Sequence, residues 1–481
     1  MAHALVWFRR DLRLADNPAL LAALDAGLAP VPVYIHAPEE ESPWEPGAAS
    51  RVWLDRSLRA LDADLRARGS RLILRRGDSL AELERLVAET GAVSVYWNRL
   101  YEPACIARDR RVERALRALG LGAESHNAAL LIEPWAVKTG QGEPYRVFTP
   151  FWRKARQTLV DVRPADAPVR LPAPPEGLAS LEADGLGLRP PPGQPRWDRG
   201  FWSFWTPGEA GAQDLLEAFL DGAVHGYREQ RNLPDRVGTS RLSPHLHFGE
   251  ISPRQVVARL RGGEWPAELR QDVEHFLGEL GWREFGHHLL FHFPHMAQEN
   301  LDPRFRRFAW AEPDPALLAA WRRGRTGVPL VDAGMRELWA TGWMHNRVRM
   351  VTASFLTKNL RYHWRHGAEW FWNTLVDADL ANNSQGWQWS AGTGADAAPY
   401  FRIFSPPAQA RKFDPRGAYI RRWLPELAGL PDEALAAPWE HAELCRRLAP
   451  DYPLRPIVDL KASREAALAA YSGAGAAASR R

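Results

Sequence analysis

Residues 5–8 of the 481-residue chain read Leu-Val-Trp-Phe, and this short apolar run begins the pattern that decides the fold. Three further runs of the same kind lie at residues 31–35, 72–74 and 93–97. Segments with helical periodicity alternate with them, near residues 16–27, 48–68, 79–90 and 104–119. Strands that alternate with helices predict a parallel, doubly wound sheet. We therefore expect an α/β domain over residues 1–135.

The remainder of the chain predicts a different architecture. Residues 136–200 are expected to form an interdomain linker, because nine prolines lie between Pro164 and Pro195 and little periodicity is present. From residue 201 to 461 the apolar periodicity is helical almost throughout, with Gly and Pro breaks. This pattern predicts an all-α domain. The Ala-, Ser- and Gly-rich tail at 462–481 is expected to be a frayed helix or a disordered end.

The composition is that of a soluble globular protein, with 45% apolar and 25% charged residues, which excludes bulk disorder and a disulfide scaffold. Two cysteines, an N-terminus without signal-peptide order and no long apolar run predict a cytoplasmic protein without a membrane span. The net charge of +4 is a weak sign of nucleic-acid binding, although most basic residues are Arg, which suits phosphate. The 22 Trp residues are either bulky core fillers or groups for stacking and electron transfer.

Two polar segments suggest a cofactor site. The sequence GTSRLSP at residues 238–244 offers three hydroxyls and an Arg just before a helix-like run. It suits either a phosphate group or an ordinary helix N-cap with a Ser-Pro turn. The sequence DADLANNSQGWQW at residues 377–389 concentrates carboxylates, amides and two indoles. It suits either an aromatic-walled heterocycle site or a polar loop with two buried anchors.

Two helical segments carry further candidates. On a helix, three residues of WMHNRVRM (343–350) share one face: Asn346, Arg349 and Met350. The preceding residue, His345, is by itself more typical of a core histidine than of a catalyst. In ELGWRE (279–284) a carboxylate, an indole and a cation also share a face: Glu279, Trp282 and Arg283. This combination can stack a nucleic-acid base and contact its edge, or form a salt-bridged surface turn.

Taken together, these motifs resemble those of the photolyase/cryptochrome family. The likeness begins at WFRRDLR (7–13) and continues to about Pro425. Its most specific blocks are GTSRLSPHLHFGEISPRQ (238–255), WMHNRVRM (343–350) and DADLANNSQGWQWSAGTGADAAPYFRIFSP (377–406). The match is closest to photolyases that repair cyclobutane pyrimidine dimers. The resemblance implies an N-terminal α/β domain and a helical C-terminal domain that binds FAD.

The resemblance also implies a role for each matching residue. The FAD contacts would be Tyr227, Thr239, Ser240, Arg241, Leu242, Ser243, Arg349, Asp377, Asp379 and Asn383. The groups acting on the flavin or the lesion would be Glu279, Asn346, Met350 and Asn383. An electron relay from the surface to the flavin would run through Trp310, Trp364 and Trp387. The DNA contacts would be Arg231, Trp282, Arg283, Arg347, Trp389 and Arg402.

The implied reaction is light-driven. Reduced FAD, excited by blue light, would give one electron to a dimer extruded from the duplex, and the electron would return after the ring opens. Glu279 would stabilise the dimer where negative charge develops. The implied partner is damaged duplex DNA, bound by a monomer, and the family pattern implies no metal.

Subgroup features narrow the expected substrate. Photolyases for the (6-4) lesion typically carry two adjacent histidines where this chain has His345-Asn346, so (6-4) repair is not expected. Signalling cryptochromes usually extend well beyond their FAD domain, whereas only about 20 unpatterned residues follow Lys461 here. Single-strand-selective relatives tend to differ in the WMHNRVRM and WQW blocks, which are intact in this sequence. These features favour repair of cyclobutane dimers in duplex DNA.

The identity of an antenna chromophore stays open in the sequence. The segment YEPAC (101–105) lacks the Asn-Glu pair of the common folate-binding bacterial photolyases. Residues 37–51 instead resemble plant cryptochromes and class III photolyases, which favours methenyltetrahydrofolate in a different pocket. A deazaflavin, or no antenna, remains an alternative.

Two other functions are compatible with the same motifs. A cryptochrome-type blue-light receptor would bind FAD and repair nothing. A generic flavoprotein oxidoreductase would need a nicotinamide site, and neither a GxGxxG nor a Walker pattern is present.

Overall fold

The computed structural model describes residues 1–159, 162–191, 193–397 and 401–478. Its N-terminal part contains a five-stranded, wholly parallel sheet with the strand order β3-β2-β1-β4-β5. The strands are β1 (His3–Phe8), β2 (Ala29–His36), β3 (Ile73–Arg76), β4 (Ser94–Asn98) and β5 (Gly122–His126). The four predicted strands and the predicted α/β class are confirmed. The sequence analysis missed β5, an edge strand with a single buried residue, Ala123.

Helices cover both faces of this sheet. They are α1 (Pro18–Asp25), α2 (Ala48–Ala67), α3 (Ser79–Thr90) and α4 (Pro103–Ala118). Alternate side chains of β1 enter opposite apolar layers, because successive residues of a strand point to opposite faces. Val6 and Phe8 pack into one layer and Leu5 and Trp7 into the other. The β-rich run quoted first is therefore the buried centre of the sheet.

The C-terminal part is helical, as predicted. Its helices, with one that precedes it in the chain, are α5 (Phe148–Ala155), α6 (Glu209–Ala218), α7 (Tyr227–Gln230), α8 (Ser243–Phe248), α9 (Pro253–Gly262), α10 (Arg270–His292), α11 (Pro315–Arg322), α12 (Pro329–Thr341), α13 (Asn346–Ser354), α14 (Trp364–Thr374), α15 (Leu380–Ala391), α16 (Pro406–Phe413), α17 (Ala418–Trp423), α18 (Asp432–Leu435), α19 (Ala442–Leu448) and α20 (Leu460–Ala478). Short 3₁₀ turns occur at Pro38–Glu41, Arg156–Thr158, Ala183–Leu186, Trp197–Ser203, Pro294–Ala297, Pro303–Arg307, Pro425–Leu427 and Pro438–His441. π-helical turns extend two of the helices, at Phe219–Ala223 and Phe355–Asn359.

Two sequence alternatives are decided by these elements. The polar segment after Asp377 is helix α15, not a loop, because Asp379 caps its N-terminus by accepting a hydrogen bond from the Asn382 N–H at 2.8 Å. The Ala-rich tail is helical as far as Ala478. Among the described residues, no helix is long and apolar enough to cross a membrane. Both cysteines are buried free thiols.

The segment that precedes and enters the predicted linker is anchored on α10. The Glu284 carboxylate accepts hydrogen bonds from the N–H groups of Leu131 and Ile132 at 2.9 and 3.1 Å. Arg283 donates to the Ala129 carbonyl at 2.7 Å. Burial raises the pKa of Glu284, and the cationic Arg283 opposes that shift. Farther along, Phe151 of α5 is buried in the helical core. The connection between the two parts is therefore a packed element.

Candidate functional site

A cavity of about 560 Å³ opens among α7, α8, α10, α13 and α15. It brings together most of the residues that the sequence resemblance selected. Its lining includes Tyr227, Arg231, Ser240, Leu242, Ser243, Glu279, Trp282, Arg283, Asn346, Arg347, Arg349, Met350, Asp377, Asp379, Asn383, Trp387 and Trp389. The predicted residues that do not line it are Thr239, Arg241, Trp310, Trp364 and Arg402.

Helical spacing explains how residues distant in sequence reach one space. On α13, Asn346, Arg349 and Met350 occupy positions i, i+3 and i+4 and all line the cavity, as predicted. On α15, Asn383 and Trp387 are four residues apart and share a face in the same way. The Asn383 amide donates to the Ala368 carbonyl of α14 at 3.0 Å, which fixes its orientation beside the cavity.

An ion pair joins α13 to the segment before α15. Arg349 donates to the Asp377 carboxylate at 2.8 and 3.1 Å and to the Met344 carbonyl at 2.7 Å. The Ser243 hydroxyl donates to the same carboxylate at 2.6 Å. The Asp377 side chain is only 4% exposed, so this pairing is shielded from solvent. It ties together three of the motifs singled out in the sequence.

Asp379 lies between two histidines that the sequence analysis did not select. Its Oδ2 atom is 3.3 Å from His287 Nε2 and 3.9 Å from His247 Nδ1. Burial alone would raise the pKa of Asp379, but the two imidazoles outweigh burial and hold that pKa well below its usual range. His247 belongs to the block 238–255, and its place in that block could have marked it as a site residue. His287 lies on α10 with no comparable signal.

Glu279 and Arg231 are paired with each other. The distance from Arg231 Nη1 to Glu279 Oε1 is 2.6 Å, and the same nitrogen is 3.0 Å from His275 Nε2. Burial lowers the pKa of His275, and the positive charge of Arg231 adds to that effect. Beside this pair, Arg347 donates to Asn232 Oδ1 at 2.5 Å. The predicted phosphate contact and the predicted lesion contact therefore interact directly.

Aromatic rings form part of the cavity wall. Trp282 stacks on Phe148 of α5, with ring centroids 3.7 Å apart and planes 9° apart. The sequence analysis did not select Phe148, because it lies in the predicted linker. Across the cavity, the exposed Arg402 places its guanidinium carbon 5.6 Å from the centroid of Trp389. Arg402 is thus next to the cavity without lining it.

The three predicted relay indoles lie along α14. Trp387 lines the cavity and packs against Gly367 of α14, where an added Cβ atom would lie 2.0 Å from the indole. Trp364 begins α14, is fully buried and donates from Nε1 to Asn300 Oδ1 at 2.8 Å. The half-buried Trp310 packs on His363, with centroids 5.0 Å apart. The three indoles therefore extend from the cavity toward the surface.

Thr239 and Arg241 face a separate cavity of about 30 Å³, together with Glu337, Trp343 and His345. Arg241 has a left-handed backbone, with φ of 54°, and its guanidinium carbon is 5.4 Å from the Trp343 centroid. Its neighbours Ser240 and Leu242 line the main cavity, so successive side chains of this segment diverge. The resemblance had grouped all of them as FAD contacts.

The residues of the main cavity fit a large heterocyclic cofactor such as FAD. Its volume lies within the range of about 300–1,000 Å³ typical of cofactor sites. The buried Nδ1 atom of His247, a lining residue, has no hydrogen-bond partner within the described structure. Hydroxyl, guanidinium and amide groups at Ser240, Arg349 and Asn383 provide further polar contacts.

Comparisons with known proteins agree with this geometry. Residues 276–473 match the family model described as the FAD binding domain of DNA photolyase, and residues 4–175 match the model described as DNA photolyase. The chain is 47% identical to a deoxyribodipyrimidine photo-lyase of Agrobacterium fabrum, over 98% of both chains. It is 41% identical to cryptochrome-1 of Arabidopsis thaliana, over 95% of this chain and 68% of that protein.

A solved structure extends the likeness to three dimensions. The crystal structure of a bacterial class III photolyase from Agrobacterium tumefaciens is similar, with a TM-score of 0.93 and 46% identity. The match covers 99% of this chain and 98% of that one. Sequence, architecture and the gathered site residues lead to the same assignment: this chain belongs to the photolyase/cryptochrome family.

Proposed function

We propose that this protein is a deoxyribodipyrimidine photo-lyase that uses light to repair cyclobutane pyrimidine dimers in duplex DNA. One observation carries the proposal: a single cavity joins the candidate flavin contacts to the candidate lesion contacts. Arg349, Asp377 and Asn383 lie in the same space as Met350, Trp282 and Trp389. A cofactor held by the first group would be close to a base held by the second.

FAD, when bound, supplies the one-electron chemistry and the light absorption. The protein's own groups hold and surround it. The Arg349–Asp377 pair and the Ser240 hydroxyl fix the cofactor, and Asn383 presents its amide oxygen from a side chain whose nitrogen is engaged by Ala368. Asp379, kept ionised by its two histidines, places a negative charge beside the polar edge of the site. Trp310, Trp364 and Trp387 provide a route for electrons from the surface.

The lesion is held by stacking and hydrogen bonding. Flipping a dimer out of the duplex costs less than flipping normal bases, because the damaged step is already poorly stacked. Trp282 and Trp389 offer aromatic faces to the extruded bases, and Met350 lies beside them. Glu279, in its protonated form, donates a hydrogen bond to a dimer carbonyl, where negative charge develops. Arg231, Arg347 and Arg402 contact the flanking phosphates, and Arg283 orients the wall behind Trp282.

The antenna site we propose is a second, smaller cavity between the two parts of the chain. Its volume is about 50 Å³, and it is bordered by residues 34–38 at the carboxyl end of β2, together with Arg10, Arg108 and His247. These polar side chains suit a pterin such as methenyltetrahydrofolate, and a deazaflavin is the alternative. At about 50 Å³ this space is well below the roughly 300–1,000 Å³ of a cofactor site, so a bound folate requires it to widen. The absorption spectrum of the purified protein shows whether an antenna chromophore is bound.

The test is illumination of the purified protein with a duplex that contains one thymine dimer. We expect blue light to restore normal thymines, and darkness to restore none. If FAD is photoreduced normally while no dimer is opened, the protein is a light receptor of the cryptochrome type. That second candidate is favoured by the 41% identity to a plant cryptochrome.

A further inference from the structure

Lys358 is a buried cation outside the cavity. It lies in the π-helical turn Phe355–Asn359 and is 1% exposed. Within the described parts of the chain, no carboxylate lies within ion-pair distance of it. Lysine is almost never fully buried unless it is paired, because removing the ammonium group from water is costly. A buried, unpaired lysine therefore needs another explanation.

Lys358 makes its hydrogen bond and its ring contact with one segment, residues 401–402. Its Nζ atom donates to the Arg402 carbonyl at 3.1 Å and lies 3.4 Å from the centroid of the Phe401 ring. Phe401 stacks in turn on Tyr471 of α20, with centroids 4.4 Å apart. The ammonium also lies near Gly392, the residue that follows the last turn of α15, where the negative end of the helix dipole favours a cation.

The segment that Lys358 holds carries a candidate DNA contact. The backbone of Arg402 accepts from Lys358, while its exposed side chain extends over Trp389. Two residues later, the Phe404 N–H donates to Ser354 Oγ at 3.1 Å. The main chain on which Arg402 stands is thus fixed from the protein side, and the guanidinium is left to face outward.

We propose that Lys358 is a positioning residue for DNA binding, which anchors residues 401–402 so that Arg402 is held beside the lesion pocket. The inference rests on the proposed function, because it assigns the partner of Arg402 as a DNA phosphate. Lys358 itself does not reach the DNA; its effect passes through the Arg402 backbone and the Phe401 ring.

The charge of Lys358 is sensitive to pH. Burial lowers its pKa to about 7. The titratable or charged groups around its contacts in the described structure are Arg402, on the anchored segment, and Tyr471, behind Phe401. As the pH rises through 7, the ammonium loses its proton and its attraction to the Phe401 ring weakens.

The test is a double-mutant cycle on DNA affinity. Lys358→Met, Arg402→Ala and the double variant would each bind a dimer-containing duplex in the dark, across a range of salt concentrations. We expect each single variant to bind about fivefold more weakly. Each should also lose one phosphate contact, which lowers the slope of the logarithm of affinity against the logarithm of salt concentration by about 0.9. The double variant should be no weaker than Arg402→Ala alone. Flavin content, read by absorption, should be unchanged.

Two further measurements separate positioning from general destabilisation. Lys358→Arg should restore part of the affinity, and the wild-type affinity should fall from pH 6 to pH 8 while Lys358→Met shows no such fall. If Lys358→Met does not fold, Phe401→Leu removes the ring under the ammonium and should lower the salt slope in the same way.

Additive losses in the cycle, or an unchanged salt slope in Lys358→Met, would overturn the proposal. The cycle can also be run on undamaged duplex. If the wild-type protein shows no preference for the dimer and no repair, the proposed function fails while the coupling of Lys358 to Arg402 is still measured.

Discussion

Replacing Glu279 by Gln should tighten DNA binding while reducing repair. In the structure, Arg231 Nη1 is 2.6 Å from Glu279 Oε1. A phosphate that recruits Arg231 must therefore compete with this carboxylate. The Gln variant removes the competitor, so Arg231 is free for the phosphate. The same change replaces the carboxyl group in the lesion pocket by an amide, whose N–H is a weaker donor than a protonated carboxyl, so fewer absorbed photons should end in repair.

The magnitude follows from the exposure of the pair. The Arg231 and Glu279 side chains are 16% and 29% exposed, which places the pair between a solvated and a buried ion pair. Such a pair is worth about 1 kcal/mol, close to the upper end for solvated pairs. If DNA binding breaks it, its removal should raise the affinity by up to about fivefold, since 1.4 kcal/mol is tenfold.

The assay is a dark titration of a fluorescent dimer-containing duplex, followed by repair yield under blue light at saturating protein. Glu229→Gln is the matched control, because Glu229 is exposed on α7 close to Arg231. This substitution removes the same charge and leaves the Arg231–Glu279 pair intact. An affinity that falls together with the repair yield would refute the reasoning, as would an equal gain in the Glu229 control.

Three other predictions concern the relay, the cofactor and stability. Trp387→Phe should slow photoreduction of oxidised FAD and leave repair by prereduced protein mostly intact; equal loss of both would reject its place in the relay. Asp377→Asn removes the charge that pairs with Arg349, an interaction of about 1.5–3 kcal/mol, so gel filtration should recover protein with less flavin than wild type. Burial, reinforced by the charge of Arg347, lowers the pKa of His345 to about 3. Between pH 6.5 and 3 the unfolded chain therefore binds a proton that the folded chain does not. The free energy of unfolding should fall as the pH falls through this range. His345→Asn keeps an acceptor for the Arg347 N–H, and denaturant titrations should show a pH slope smaller by up to about 1.4 kcal/mol per unit; an unchanged slope would contradict the assignment.

Periodicity predicted the fold class because the buried elements are regular. The strand centred on Val6 and the helix α13 both carry the apolar spacing that their environments require. Edge elements escaped the prediction, because β5 buries little and its residues have weak strand preference. The sequence left the 377–389 segment open between a heterocycle site and a polar loop, because the face of α15 that lines the cavity carries the polar side chains that a loop would also have.

The resemblance selected residues that the fold gathers around one cavity, but it left several of their mutual contacts unpredicted. Nothing in the sequence pairs Arg231 with Glu279, since 48 positions separate them. Nor does it separate Arg241 from Ser240, because the left-handed backbone that turns the Arg241 side chain away is a tertiary effect. The stack of Phe148 on Trp282 joins α5 to α10, and no local pattern encodes such a contact.

The anchoring of residues 129–134 and α5 on α10 constrains how this family can recombine. A chimera that joins the first 200 residues of one relative to the helical part of another would give Trp282 a foreign residue at position 148. It would also place a new backbone against Glu284, whose buried carboxylate depends on the Leu131 and Ile132 N–H groups. Crossovers placed before residue 127 would keep these contacts within one parent. One side of the cavity at Trp282 is therefore encoded by residues that lie well before the helical domain in the sequence.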